Sequence, residues 1–360
     1  VDDPVVGDAV IRSAPVGVPE LGIQGPSDPG AGTGAGAASG GDAASGAGTD
    51  TEVDTTDPAT LEAVLARVRA AYPASRYGLV VWGHGSSVWQ AGGVDESSPE
   101  PSRPLATTHL AAVVHALPVD IICFDTGFAA SLEVGWELHG GARYLVARQG
   151  AGPAGGYDYE QLFAAVRAAG SEPAAVARAM VAASQGEGAP SGPAFGPAGA
   201  VSAVDLARLP EVMTAMDEFA TTLHAAAGEV TVRDALRATL FYQVEDFYTT
   251  PGDLAIDVGH MARVVRNSSD WADPEADVLS RRLADAVLTA TPGGAHPEAG
   301  GLSVHLIPLH EDGSAAAGHD SAYVRGGASD ERLRFVRESA WPPVFPDGPG
   351  LLYRLFYEVL

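Results

Sequence analysis

Two positions in the sequence follow apolar runs at points where an α/β protein presents its active-site groups. His84 lies between two glycines directly after "YGLVVW", and Gly127 comes two residues after "VDIICFD". In an open α/β sheet, the carboxyl ends of the strands carry the reacting groups. The imidazole of His84 is suited to proton transfer, although a histidine in this setting can also be a plain turn residue. Gly127 has no side chain, so the second strand end presents no chemical group.

The elements that position these two residues alternate between strand and helix. A helix with Asp57 as N-cap and Pro58 at its first position precedes "YGLVVW". The helix "LATTHLAAVVHAL" follows, then the strand "VDIICFD", the helix "ASLEVGWEL" and the strand "ARYLVA". One face of the first helix is apolar, with Leu61, Val64, Leu65 and Val68. This alternation predicts an α/β fold with parallel βαβ units and right-handed crossovers.

The second half of the chain is predicted to be mainly helical. Helices are expected near 158–184 and over roughly 207–226, 229–240, 253–267 and 273–290. The runs "GAVSAVDL" and "GLSVHLIPL" predict two further strands, and residues 330–360 predict a helix followed by an aromatic-rich end.

Composition divides the chain into four segments. Residues 1–24 form an N-terminal remnant, and the Gly/Ala/Ser-rich residues 25–56 predict a disordered loop, because they can bury too little apolar surface to offset their ordering entropy. Residues 57–190 are predicted to form an α/β core, and residues 191–360 a C-terminal region. The boundary falls in the Gly/Pro-rich run "GEGAPSGPAFGPAG".

The two strand ends resemble those of the clostripain family of cysteine peptidases. "VVWGHGSS" matches the family's Trp-x-His-Gly signature, and "CFDTGFAASLEV" matches its Phe-Asp-Ala-Cys signature and the helix that follows. The similarity continues through "RYLVARQGAGPAGGYDY", "AVSAVDLARLP" and "GLSVHLIP", and so covers most of residues 51–310. The resemblance implies a caspase-like fold, with a parallel-rich sheet flanked by helices and a C-terminal region that completes it.

The resemblance also assigns roles to single residues. His84 takes the position of the catalytic histidine, the backbone at Gly85 that of an oxyanion donor, and Asp125 that of a substrate-binding acid. Gly127 takes the position of the nucleophilic cysteine, so the nucleophile is lost. From the residues alone, Asp125 can also be a helix-cap acceptor, and the cap is the favoured interpretation.

The pocket implied by the resemblance is altered as well. A second acidic residue of the family aligns with Gly155, and the family's Ser-Glu pair after the third strand is Arg148-Gln149 here. An arginine at this point would repel a basic side chain of a substrate. The leading hypothesis is therefore a pseudo-peptidase that binds a peptide or protein without cleaving it.

Two other hypotheses stay open. One is an active peptidase that uses His84 with a non-standard nucleophile, for which Cys123, Thr126 and Ser131 are the nearest candidates. Cys123 lies inside an apolar strand, which favours a core residue. The other is a structural domain of a longer protein, a hypothesis suggested by the first residue, Val1, not being methionine.

No metal or cofactor is predicted. His305 and His310 lie near Glu311 and Asp312, but their spacing matches no standard metal motif, and solvated strand-end residues are favoured. Asp253, Asp257 and His260 are expected to be structural residues of one helix. For both groups, ordinary structural use is the favoured interpretation, because no second signal supports a metal site.

Charge bounds the classes of partner. The formal net charge is −25, and the sequence holds no lysine, so all 21 basic residues are arginine. Repulsion from phosphate disfavours nucleic acid and an anionic membrane as partners, whereas a peptide or protein is the expected partner. No signal peptide is recognisable, and the location stays unknown, although the resemblance implies secretion or the cell envelope.

Overall fold

The computed structural model describes residues 54–83, 88, 92, 105–152, 156–184, 200–247, 254–268, 271–292, 296–306, 323, 332–342 and 350–356. The chain divides into two compact units, one of residues 1–73 and 94–105, the other of residues 74–93 and 106–360. The first unit contains helix α1, and the second contains all the other elements below. The four segments predicted from composition stay a prediction.

The described helices are α1 Pro58–Ala71, α2 Thr107–Ala116, α3 Leu132–Leu138, α4 Tyr159–Ala169, α5 Pro173–Ala183, α6 Leu209–Ala226, α7 Val230–Tyr242, α8 Val258–Ser268, α9 Asp273–Ala286, α10 Arg334–Glu338 and α11 Leu351–Phe356. The described strands are β1 Gly78–Trp82, β2 Val119–Asp125, β3 Ala142–Arg148, β4 Val201–Asp205, β5 Leu254–Asp257, β6 Val287–Thr291 and β7 Ser303–Leu306. None of these helices is long and apolar enough to cross a bilayer.

Helix α1 begins as the sequence predicts. The Asp57 side chain accepts a hydrogen bond from the backbone N of Ala59, and Pro58 occupies the first turn, where its missing N–H costs nothing. The predicted apolar face is the less exposed face of the helix; its members are Leu61, Val64, Leu65 and Val68.

The main sheet has the strand order β1-β2-β3-β4-β6. Strands β1, β2 and β3 are parallel, whereas β4 is antiparallel to both of its neighbours, so β6 runs in the same direction as the first three. Four of the five strands therefore share one direction. The predicted α/β class with a parallel-rich sheet and flanking helices is confirmed.

One face of this sheet is covered by α4 and α5. Cys123 of β2 and Val146 of β3 lie side by side and pack with Leu162 and Met180 from the two helices. Strand β2 is the most deeply buried of the first three strands, as expected for the centre of a parallel sheet. Its carboxyl end is consequently held between β1 and β3.

A second, two-stranded sheet is formed by β5 and β7, which are antiparallel. The backbone N of Ser303 in β7 donates to the carbonyl of Ala130, 2.9 Å away. Ser131 and Ser303 form an isolated β-bridge. The small sheet thus supports the turn that follows β2.

Two predicted helices were partly wrong. Within the expected helix 253–267, residues 254–257 form strand β5, and the helix starts only at Val258. The expected helix 273–290 ends at Ala286, after which β6 pairs with β4. Both strands are short and depend on partners distant in sequence, so the local apolar pattern did not reveal them.

Several predicted boundaries also shift. The third helix begins at Leu132, later than predicted, because Ser131 caps it through its hydroxyl. The late strand covers Ser303–Leu306, and residues 307–309 lie outside the described part. The predicted tail contains the short helices α10 and α11.

Gly141 is packed too tightly for a side chain. A Cβ there would lie 2.8 Å from Cγ2 of Val114 and 2.9 Å from the backbone N of His115. We expect Gly141→Ala to lower the free energy of unfolding by about 1–3 kcal/mol in urea denaturation, because the backbone at Val114 and His115 would have to move. Gly78→Ala is the matched control, since the nearest atom to its Cβ is 3.9 Å away. Equal losses in the two variants would contradict this prediction.

Candidate active site

The site is built at the edge of the sheet where β1, β2 and β3 end. Trp82 of β1 pairs with Asp125 of β2, and Cys123 pairs with Val146 of β3. Two residues further along both strands, Asp125 and Arg148 follow Cys123 and Val146 on the same face. The last residues of three neighbouring strands are thus brought to one edge, as the sequence predicts for an α/β site.

The predicted catalytic histidine follows this edge directly. His84 comes two residues after Trp82, the last residue of β1, and Gly85 comes next. Both residues lie outside the described part of the chain, so their assigned roles stay predictions.

Gly127 lies in the turn between β2 and α3 and is buried. The next residue, Phe128, has a φ of 63°, which is unfavourable for a bulky side chain and is typical of strained functional turns. The turn is held to the end of β3, because Phe128 N donates to the Gly150 carbonyl and Ala130 N to the Arg148 carbonyl. The backbone therefore keeps a constrained strand-to-helix turn although Gly127 presents no side chain.

Asp125 is buried and held by two tyrosines. Its Oδ2 accepts hydrogen bonds from the backbone N of Tyr157 at 2.8 Å and from the hydroxyl of Tyr159 at 3.0 Å. Burial raises the pKa of Asp125, and the two hydrogen bonds oppose this shift. The favoured helix-cap interpretation was wrong, because the hydroxyl of Ser131 caps α3. The role of Asp125 in substrate binding stays a prediction.

The alternative nucleophiles are enclosed. Cys123 is fully buried, and burial raises the pKa of its thiol far above the ordinary value, which favours the unreactive neutral form. Thr126 is 2% exposed. The hydroxyl oxygen of Ser131 accepts from the backbone N of Val134 and is fully buried. The prediction that Ser131 already lies within the helix was wrong by one position, since it is the N-cap.

Arg148 lies at the end of β3 and is 2% exposed. Its guanidinium carbon is 4.5 Å from the centre of the Tyr157 ring. Within the described residues, neither Nε nor Nη1 has a hydrogen-bond partner. The sequence identified this arginine as a departure from the family pattern but did not indicate that its charge is buried.

Gln149 connects the sheet to the second, small sheet. Its Nε2 donates to Oδ2 of Asp257 at 2.8 Å, and its Oε1 accepts from the backbone N of Gly301 at 2.9 Å. Oδ1 of Asp257 accepts from the backbone N of His260, and Oδ2 also accepts from Gly300 N. Asp257 and His260 are thus structural, although Asp257 ends β5 instead of lying within a helix. Asp253 lies outside the described residues.

Removing the Gln149 side chain should be costly because it leaves a buried donor without a partner. We expect Gln149→Ala to lower the free energy of unfolding by about 2 kcal/mol. The control is Gln161→Ala, whose amide makes a solvent-exposed hydrogen bond to Asp158 and should cost about 0.5 kcal/mol or less. Thermal and urea unfolding of both variants would check this. A Gln149→Ala protein as stable as the control would show that water replaces the lost bonds.

His305 was predicted to be a solvated strand-end residue, and this was wrong. It is 3% exposed, and its backbone N donates to Oε1 of Glu133. Its ring lies 4.4 Å from that of Tyr323. His310, Glu311 and Asp312 lie outside the described residues. Within the described ranges, no three His, Cys, Asp or Glu side chains are grouped to hold a metal ion.

Sequence reasoning missed the contacts of three residues. Tyr157 and Tyr159 were quoted in the segment "GGYDY" without a role, and their alternating spacing was the available signal. Glu133 was missed because a glutamate in the first turn of a helix is ordinarily solvated. Here it is fully buried.

The chain is similar in sequence to a known protein family. The model of the clostripain family matches residues 43–341. The chain belongs to the clostripain family. The resemblance inferred from the strand-end motifs is confirmed at this level, whereas the position of the missing nucleophile stays a prediction. Among curated proteins, none is similar enough to count as a match.

The chain is similar to solved structures of C11 proteases. A secreted C11 cysteine protease from Bacteroides thetaiotaomicron, in complex with an irreversible peptide inhibitor, has a TM-score of 0.53 at 18% identity over 76% of each chain. An inactive zymogen C11 protease from Parabacteroides distasonis has a TM-score of 0.49 at 19% identity over 69% of each chain. The first of these supports the fold assignment and, at this identity, nothing finer.

Proposed function

We propose that this clostripain-family protein is a pseudo-peptidase, which binds a peptide or protein segment without cleaving it. The observation that carries the proposal is Gly127. It occupies the turn after β2, where the family motif has its nucleophilic cysteine, and it supplies neither thiol nor hydroxyl. Without a nucleophile, an oxyanion site and a histidine alone leave only weak residual catalysis.

The neighbouring side chains do not replace the missing thiol. Cys123 precedes Gly127 by four residues, or roughly 13 Å along an extended strand, and it is enclosed in the core. Thr126 is almost fully buried, and the Ser131 hydroxyl is engaged as a helix cap. These contacts disfavour the alternative of an active peptidase with a non-standard nucleophile.

The preserved architecture supports binding. The turn at Gly127 retains its backbone constraints, and Asp125 is held in place by Tyr157 and Tyr159. Such buried hydrogen bonds keep the end of β2 ordered, and this order does not depend on a nucleophile. The Bacteroides thetaiotaomicron protein with the same fold is solved with a peptide inhibitor, which makes a peptide the first class of ligand to test.

The test is to incubate the purified protein with a mixture of labelled peptides and to measure both binding and cleavage. We expect peptides to be retained, with no product in mass spectrometry after prolonged incubation. The His84→Ala variant should give the same absence of products. Hydrolysis that disappears in His84→Ala would overturn the proposal, because it would show a working nucleophile in the native chain.

A further inference from the structure

The guanidinium of Arg148 is buried with part of its hydrogen-bonding capacity unused. Its Nε and Nη1 carry three N–H donors, and none meets an acceptor among the described residues. Burying these N–H groups without acceptors is unfavourable, because they have lost their water and gained no hydrogen bond in its place. An acceptor supplied from outside the chain would satisfy these donors.

Asp125 does not serve as this acceptor. It ends the neighbouring strand β2, but its Oδ2 is already occupied by the backbone N of Tyr157 and the hydroxyl of Tyr159. No hydrogen bond joins Arg148 to Asp125 in the described structure. The positive charge of Arg148 therefore favours the ionised form of Asp125 without a hydrogen bond, and among the described residues nothing accepts from Nε or Nη1.

Gly152 lies directly beside these donors. A Cβ at this position would lie 3.3 Å from Cδ and 3.4 Å from Nε of Arg148, and Gly152 is partly exposed. The ring of Tyr157 packs against the guanidinium, 4.5 Å from its carbon. Nε is itself enclosed, and the absence of a side chain at Gly152 keeps the space next to it free of a Cβ.

We infer that Arg148 makes this site select a carboxylate, so that the bound peptide presents an acidic side chain or its own C-terminal carboxylate to the guanidinium. The inference rests on the proposed peptide binding and adds its specificity. A carboxylate carries the charge and the acceptor oxygens that the unused donors require. A basic side chain would instead be repelled by the positive charge of Arg148.

The experiment measures binding of matched fluorescent peptides to the full chain by anisotropy. The peptides differ at one position, which is acidic, amide or basic, and each is made with a free and with an amidated C-terminus. We expect acidic peptides to bind about 10-fold or more tightly than the amide peptides, and basic peptides least well. Tight binding of amidated acidic peptides indicates the side chain as the ligand, whereas tight binding only with a free terminus indicates the terminal carboxylate.

Arg148→Gln should remove the preference for acidic peptides. Arg143→Gln is the matched control, because Arg143 lies on the same strand but is about half exposed and pairs with Asp205. It should retain the preference. If Arg148→Gln fails to fold, Gly152→Ala tests the same site, because its Cβ would narrow the approach to Nε and weaken acidic binding while keeping the charge.

The outcomes separate the two proposals. Binding that is indifferent to peptide charge, or a preference unchanged in both Arg148→Gln and Gly152→Ala, would overturn the role of Arg148 alone. Failure of every peptide to bind would overturn the proposed function and, with it, this inference.

Discussion

Replacing Gly127 with cysteine should convert a silent protein into a measurable peptidase. The change supplies a thiol at the position that the family resemblance gives to the nucleophile, and Gly127 is not among the described residues with a positive φ, so its backbone conformation does not by itself exclude a side chain. We expect hydrolysis at least about 100-fold above the native protein in a fluorogenic peptide assay. This gain should be well below the roughly 10⁶-fold that a nucleophile contributes in an intact enzyme, because the surrounding site has diverged.

Two controls isolate the thiol and the histidine. Gly127→Ala adds the Cβ without sulfur and should stay silent. His84→Ala in the Gly127→Cys background should return the rate to the native level, because the thiol then has no base. A Gly127→Cys protein that folds normally yet reacts with no thiol-directed peptide inhibitor would show that His84 and this turn do not form a catalytic pair.

Glu133→Gln should change the free energy of unfolding more than the other substitutions, and the size of this change should depend on pH. Oε1 of Glu133 accepts from the backbone N of His305 and from the hydroxyl of Tyr323, whereas Oε2 has no partner among the described residues. Burial raises the pKa of Glu133 to about 7, and the hydrogen bonds oppose this shift without cancelling it. Below about pH 7 the neutral carboxyl is therefore the favoured form in the fold.

The sign of the pH effect follows from proton linkage. Between the ordinary value of 4.5 and about 7, the folded state holds a proton that the unfolded state has lost. The contribution of Glu133 to the free energy of unfolding is therefore fully present at low pH and declines as the pH rises through that window. At about 1.4 kcal/mol per unit, the loss by pH 8 is about 3 kcal/mol.

Glutamine keeps the acceptor at Oε1 and cannot ionise. Glu133→Gln should match the native protein near pH 4.5 and exceed its free energy of unfolding by about 3 kcal/mol at pH 8. Urea denaturation across this range measures the difference between the two proteins, so that other buried acids cancel. Glu218→Gln, an exposed change within α6, should leave the native curve unmoved. Parallel curves for native protein and Glu133→Gln would show that Glu133 is ionised throughout.

Elements that form through local contacts were predicted from the sequence, whereas elements that form through distant contacts were not. Strands β1, β2 and β3 were predicted because each is a continuous apolar run. Strands β5 and β6 were not, because each is short and exists through pairing with β7 and β4. The Asp57 cap was predicted, since it depends on neighbouring residues only.

The candidate site divides in the same way. The strand ends that carry His84 and Asp125, and the absence of a side chain at Gly127, were evident from the motifs. The partners of Asp125 were not, because Tyr157 reaches it from 32 residues away. The cap role favoured for Asp125 from sequence assumed that the helix starts beside it, whereas Ser131 starts the helix later.

The sequence by itself determined the family and the parallel-rich α/β sheet, because these follow from residue types in local patterns, and it carries the prediction that Gly127 replaces the nucleophile. Only the tertiary structure decided which polar groups are buried and what they contact. Arg148 and Glu133 look like ordinary charged residues in the sequence, yet each is enclosed, with some of its polar atoms unpaired among the residues that the structure describes. Burial and hydrogen bonding depend on segments far apart in the chain, and the chemistry of this site depends on both.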